Sequence, residues 1–212
     1  MASPRMLRRM SAPDTAVSIA VSIALGIGLA AAVGFRVFLP LLVASIAAYT
    51  GHLHLDANFA WLGTPMAMTM LGVAAVVEVL AYYIPAVDNL LDTVTTPLAL
   101  VAGTVVSAAV ITDLPPLIKW STAIIAGGGV AAITQGVTTL VRAKSTAFTA
   151  GLGNPVVSTV EMVVALVVAL LALLAPLAAL ALVIAICWFT VRLVRKFLRN
   201  DRAAKQRAPT TP

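Results

Sequence analysis

Apolar runs of about 20 residues, each long enough to cross a hydrocarbon core of roughly 30 Å as a helix, recur along almost the whole chain. They are separated only by short clusters of Pro, Gly and polar residues. The composition agrees with them: 61% of the 212 residues are hydrophobic and 10% are charged, where a soluble domain has about 25% charged residues. The chain reads as an all-α integral membrane protein.

Charge then sets the expected orientation. The net charge is +6, but the basic residues gather at the ends, with Arg5, Arg8 and Arg9 before the first run and a basic stretch over 192–207. Basic ends beside apolar spans follow the positive-inside rule and call for anionic lipid headgroups rather than nucleic acid as partners. The expected plan has a basic cytoplasmic N-terminus over 1–14, a transmembrane domain over 15–197 and a disordered basic tail over 198–212. The first apolar run exceeds a signal-peptide core of roughly 7–15 residues and is expected to stay as a span. The one cysteine, Cys187, cannot form an intramolecular disulfide.

Six spans are expected, at about 15–35, 63–84, 95–112, 117–140, 155–175 and 177–196, on boundaries read from helix-start and helix-stop residues. An even count puts both basic termini in the cytoplasm of a plasma (inner) membrane protein, with Arg142 and Lys144 on the same side and Arg36 and Lys119 near the other. Pro65, Pro97 and Pro155 suit first turns, where a missing N–H costs nothing, while Pro85 and Pro176 end runs. Residues 15–50 as one helix would reach about 54 Å, too far for a single crossing. A break at Gly34, Arg36 and Pro40 is therefore expected, followed by a re-entrant or interfacial piece over 41–50.

The stretch 26–51 also aligns with 128–153. Gly26 falls on Gly128, Ala30 on Ala132 and Gly34 on Gly136, and small residues at such spacing let membrane helices approach closely. A repeat of three spans would give an inverted 3+3 plan like that of many secondary transporters. Spans one and four would then pack through these six residues.

Carboxylates identify the candidate site. Glu78 and Glu161 lie inside spans, where an acidic side chain costs on the order of 3 kcal/mol and faces a bundle interior or an aqueous cavity. The six-span plan sets both roughly 10 Å from the same boundary, with Asp88, Asn89, Asp92 and Asn154 nearby. Proton relay, binding of a small ion and a plain helix-holding hydrogen bond all fit such a cluster, and Arg36 fits an anionic group or a snorkelling helix end equally. His52 and His54 form an H-x-H with no third Cys or His partner, so neither a metal nor a cofactor is expected. No nucleotide-binding, serine-hydrolase or zinc-protease motif is present.

Five strings, GFRVFLPLL (34–42), EVLAYYIPAVDNLLDTVTTP (78–97), LPPLIKW (114–120), AIIAGGG (123–129) and GLGNPVVSTVE (151–161), resemble a family of bacterial multi-span membrane proteins catalogued only as a domain of unknown function. The resemblance covers roughly 20–165 and implies a multi-pass membrane protein, with no functional residue to carry over. The reading that follows is a transporter or channel-like protein, able to form a homo-oligomer, that moves a small ion or lipid-linked anion through Glu78 and Glu161. A membrane scaffold or assembly factor and an intramembrane metal-dependent lipid enzyme are the alternatives, and the expected protein is not an enzyme.

Overall fold

The structure, a computed structural model, describes residues 12–189 and Arg192. Its helices are α1 (Ala12–Phe35), α2 (Phe38–Tyr49), a 3-10 helix (Ala57–Gly63), α3 (Pro65–Ala81), α4 (Pro85–Val110), α5 (Pro116–Thr122), a π-helical turn (Ala123–Gly128), α6 (Gly129–Thr149), α7 (Asn154–Leu174) and α8 (Pro176–Phe189). α5, the π-helical turn and α6 run on as one helix over Pro116–Thr149. Residues 1–11, which hold most of the N-terminus expected over 1–14, and the whole tail expected over 198–212 lie outside the described residues.

Local chemistry sets the starts. The Thr64 hydroxyl accepts from the Ala67 N–H and Pro65 occupies the first turn of α3, a capped start that satisfies one orphan donor. Pro85, Pro116 and Pro155 stand in the first turns of α4, α5 and α7. Two expectations are corrected here. Pro85 begins a helix as well as following one, and Pro97 lies inside α4, not at a start. The apolar run measured from 95 missed nearly three turns at 85–94, because Asp88, Asn89 and Asp92 made them look like loop.

Four helices are long and apolar enough to cross a membrane: Thr15–Phe35, Leu90–Val110, Pro116–Thr149 and Asn154–Leu174. The 3-10 helix and α3, bent by 64°, make a fifth if they count as one span. The protein is thus an all-α, multi-span membrane protein.

The expected break is present. α1 stops at Phe35, and α2 begins at Phe38. α2 packs into the bundle on one face, with Pro40, Leu41, Ala44, Ser45 and Ala47 buried. Together α1 and α2 form a hairpin. The Ser18 hydroxyl at its open end donates to Asp113 in the α4–α5 connection (3.1 Å), and the Asp56 N–H beyond α2 donates to the Ala109 carbonyl (2.8 Å). The tip, Arg36, reaches Ser158 near the start of α7. The start of α1 and the α6–α7 connection therefore lie at opposite ends of the bundle, separated by the length of α1. The start of span one and Arg142, expected on a shared side, stand at opposite ends of α1, because α2 turns back along the bundle.

Small residues let the helices close up. A Cβ on Gly34 would fall 1.6 Å from Thr134 Oγ1 and 2.5 Å from the Ala131 carbonyl oxygen, so α1 meets α6 backbone to backbone. The other residues expected to join spans one and four have different neighbours. Gly26 abuts Ser107 of α4, Gly128 abuts Thr104 and Leu100 of α4, and Ala30 faces Gly103 of α4. Nothing lies within 4 Å of a Cβ built on Gly136, and Ala132 is only partly buried. α4 occupies the place that the alignment gave to a direct α1–α6 contact over these positions. Large apolar side chains such as Met66, Met70, Val73 and Val77 are exposed along α3, as expected of a surface in lipid.

Candidate functional site

Four charged residues converge at the hairpin tip, at 1% (Arg36), 3% (Arg142), 4% (Glu78) and 5% (Glu161) exposure. Burying one such charge without a partner is prohibitive, so the arrangement must be read as a set.

Glu78 of α3 serves the start of α2. The Val37 N–H donates to Glu78 Oε1 (2.8 Å) and the Phe38 N–H to Oε2 (3.0 Å). The carboxylate from α3 thus closes the first free amides of a helix that begins inside the bundle, where the helix dipole also favours an anion. No side chain near 37 caps this helix locally, which explains why a residue forty positions on in the sequence is recruited.

Glu161 holds two arginines. Arg142 Nε donates to Glu161 Oε1 (3.1 Å), and its Nη2 donates to Oε2, a two-pronged pairing. Arg36 Nη2 lies 3.7 Å from the same Oε2 and donates to the Ser158 carbonyl (2.9 Å) and hydroxyl. The fixed fork of a guanidinium suits such shared recognition of a planar anion.

Tyr82 lies between these groups. The guanidinium carbons of Arg36 and Arg142 are 4.1 Å and 3.8 Å from its ring centre. Such contacts are worth about 2 kcal/mol or more when desolvated. The Tyr82 hydroxyl donates to Asp92 Oδ1 (3.3 Å) and lies 3.1 Å from Thr95 Oγ1, which also accepts from Gln135 Nε2 (3.0 Å). Asp92 Oδ1 is 3.9 Å from Arg142 Nη1. Through this ring, α1, α3, α4, α6 and α7 share one polar cluster. Arg36 Nε and Nη1 are buried and have no hydrogen-bond partner among the described residues.

Of the residues singled out in the sequence, Glu78, Glu161, Asp92 and Arg36 come together. Arg36 was expected near the opposite surface, and its ion pair with Glu161 overturns that placement. Asn154 is buried at the start of α7, with its Nδ2 donating to Thr146 Oγ1 (3.0 Å). Asp88 and Asn89 lie in the first two turns of α4, and their side chains lie outside the described residues. Gly26, Ala30, Gly34 and Gly128 serve helix contacts as given above. Among the described residues no three His, Cys, Asp or Glu side chains gather as metal ligands do, and His52 Nδ1 lies 3.0 Å from Thr50 Oγ1.

Arg142 and Tyr82 were missed as site residues. Ending span four at 140 had put Arg142 in a loop, whereas α6 extends to Thr149 and Arg142 is buried on it. A signal was available: Thr134, Gln135, Thr138 and Arg142 continue one helical face of buried polar residues beyond 140.

A family model described as a domain of unknown function, DUF4126, matches residues 23–196. The chain belongs to this family. The DUF4126 match extends past the strings quoted above to include α8, and it contains every residue of the cluster. Neither a curated protein nor a solved structure matches the chain.

At the other end of the bundle, Lys119 Nζ lies 2.7 Å from Asp56 Oδ2 and 5.9 Å from the Phe59 ring centre. This pair ties the start of α5 to the loop before the 3-10 helix. The Lys119 hydrogen bond holds the Asp56 carboxyl below its ordinary pKa.

Proposed function

We propose that this protein is a plasma-membrane transporter or channel-like protein for a small anion or a lipid-linked anion, with the Arg36–Arg142–Glu161 cluster as its binding centre. The observation that supports it is Arg36, a fully buried cation with two donor nitrogens, Nε and Nη1, that no acceptor among the described residues takes up. Buried donors without partners are rare and costly. A hairpin tip that keeps two of them beside a second arginine is organised for an incoming anion.

Glu161 is the internal stand-in for that anion. A substrate anion meeting Arg36 and Arg142 displaces it, and a proton taken up on Glu161 keeps the cluster's charge unchanged. Anion and proton then move together, one for one. Glu78 plays a different part, because its carboxylate is committed to the first amides of α2 and holds the tip in place. The six-crossing count, the inverted 3+3 plan and the cytoplasmic termini are not required by this reading. The positive-inside rule, applied to Lys144, favours a cytoplasmic α6–α7 end.

The test is anion flux into proteoliposomes. Wild-type protein should carry an anion in step with a proton gradient, Glu161→Gln should lose the proton dependence, and Arg36→Gln should lose flux while retaining helicity. A wild-type protein that moves no anion under any gradient, or an Arg36→Gln protein that transports normally, ends the proposal.

A further inference from the structure

A groove of ≈620 Å³ opens between α3 and α4, walled by Met70, Val73 and Val77 on one side and Leu91, Val94 and Leu98 on the other. Its size falls within the roughly 300–1,000 Å³ of small-molecule sites. The surface that the wall exposes is apolar. Glu78 and Thr95 also line it, and both belong to the charged cluster: Glu78 through the amides of α2, and Thr95 through Tyr82 and Gln135.

We infer that this groove holds the hydrocarbon tail of an amphiphile whose phosphate group reaches the Arg36–Arg142 pair, so that the substrate class is a phosphate carried on a long apolar chain. This rests on the anion reading above. Three observations meet in it. The wall offers no hydrogen-bonding surface, which excludes a hydrated solute from the groove itself. The polar cluster lies directly behind that wall and shares Glu78 and Thr95 with it, so it is the neighbouring polar region for a molecule with its tail in the groove. Arg36 lies there with buried Nε and Nη1 unpartnered, and guanidinium groups are the usual partners of phosphate oxygens. A tail that stays in a lipid-facing groove while the headgroup crosses a polar interior avoids transferring hydrocarbon into the bundle or charge into lipid.

The experiment uses the full chain in nanodiscs of a zwitterionic lipid, with thermal unfolding as readout and three probes: dodecyl phosphate, inorganic phosphate and dodecanol. Dodecyl phosphate should raise Tm saturably, with an apparent affinity tighter by roughly tenfold or more than that of either other probe. Val94→Trp and Val77→Trp fill the groove from opposite walls at lipid-exposed positions, and each should remove the dodecyl phosphate response. Arg36→Gln should bring dodecyl phosphate down to the level of dodecanol.

Inorganic phosphate matching dodecyl phosphate would mean that a free anion is the ligand, overturning the tail while leaving the anion reading intact. Dodecanol matching dodecyl phosphate would overturn the headgroup assignment. A dodecyl phosphate response that survives both tryptophans would place the tail elsewhere and also overturn the inference. No response to either phosphate would overturn this inference, while the anion reading stands or falls by the flux experiment above.

Discussion

Replacing Glu161 with Gln keeps the shape of the side chain and removes its charge, which leaves two buried guanidinium groups against one tyrosine ring without the carboxylate that they share. At an effective dielectric of about 20, one unit-charge contact near 4 Å is worth about 4 kcal/mol. Loss of one partner from a buried pair costs roughly 3–5 kcal/mol by a separate route. Both figures point to about 4 kcal/mol, a large share of the 5–15 kcal/mol that typically holds a domain together. Unfolding in detergent, followed by helicity, should therefore show a severely destabilised Glu161→Gln protein. Arg142→Met should be destabilised as well. The double variant Arg142→Met/Glu161→Gln, which removes both charges of that pair, should be clearly more stable than the sum of the single losses predicts. A Glu161→Gln protein within about 0.5 kcal/mol of wild type, inside the range of an ordinary surface change, would refute the claim that the buried charges are held as a set.

Gly34→Ala introduces a methyl group 1.6 Å from Thr134 Oγ1; overpacking of this kind costs about 1–3 kcal/mol, and adding Thr134→Ala should recover only part of it, because the Ala131 carbonyl remains in the way. In a chain with Cys187 replaced by Ser, single cysteines at His52, Asp113 and Leu152 should label from two sides: the first two from the side of the α4–α5 connection, the third from the opposite one. Labelling of all three from one side would contradict the hairpin. Because the Asp56 carboxyl is held below its ordinary pKa in the folded protein, its pair with Lys119 stabilises fully above about pH 4 and is lost as pH falls towards the folded value. Asp56→Asn should lower Tm at neutral pH and flatten the acid limb of the stability profile, and an unchanged limb would argue against this ion pair.

The helices were legible in the sequence wherever an apolar run ended at a residue with a local reason to end it. Thr64-Pro65, Asn154-Pro155 and the break before Pro40 all act within one turn, and pattern reading finds such signals. What it could not find depended on partners distant in sequence. Arg142 looked like a loop residue because an isolated arginine in a span is costly, and the residue that offsets the cost, Glu161, lies on another helix. Glu78 looked like half of a protonatable pair, but its partners are backbone amides exposed by a break whose spatial position no local pattern specifies. The aligned glycines were real packing residues in several cases. However, the alignment could not say that α4 lies between the two stretches that it matched.

The hairpin tip also has a consequence for how the chain is made. Arg36 is synthesised 122 residues before Ser158, to which it is bonded in the finished fold. At roughly 5–20 residues per second, that interval is on the order of ten seconds. For that time α1 and α2 exist without Glu161, and for part of it without Glu78, so the arginine has no carboxylate to meet. A lone arginine at membrane depth is drawn towards headgroups and water. Until α7 arrives, the tip is therefore better placed at an interface than at its final depth. Its final seating is a late event, set by the arrival of α7 rather than by the insertion of α1.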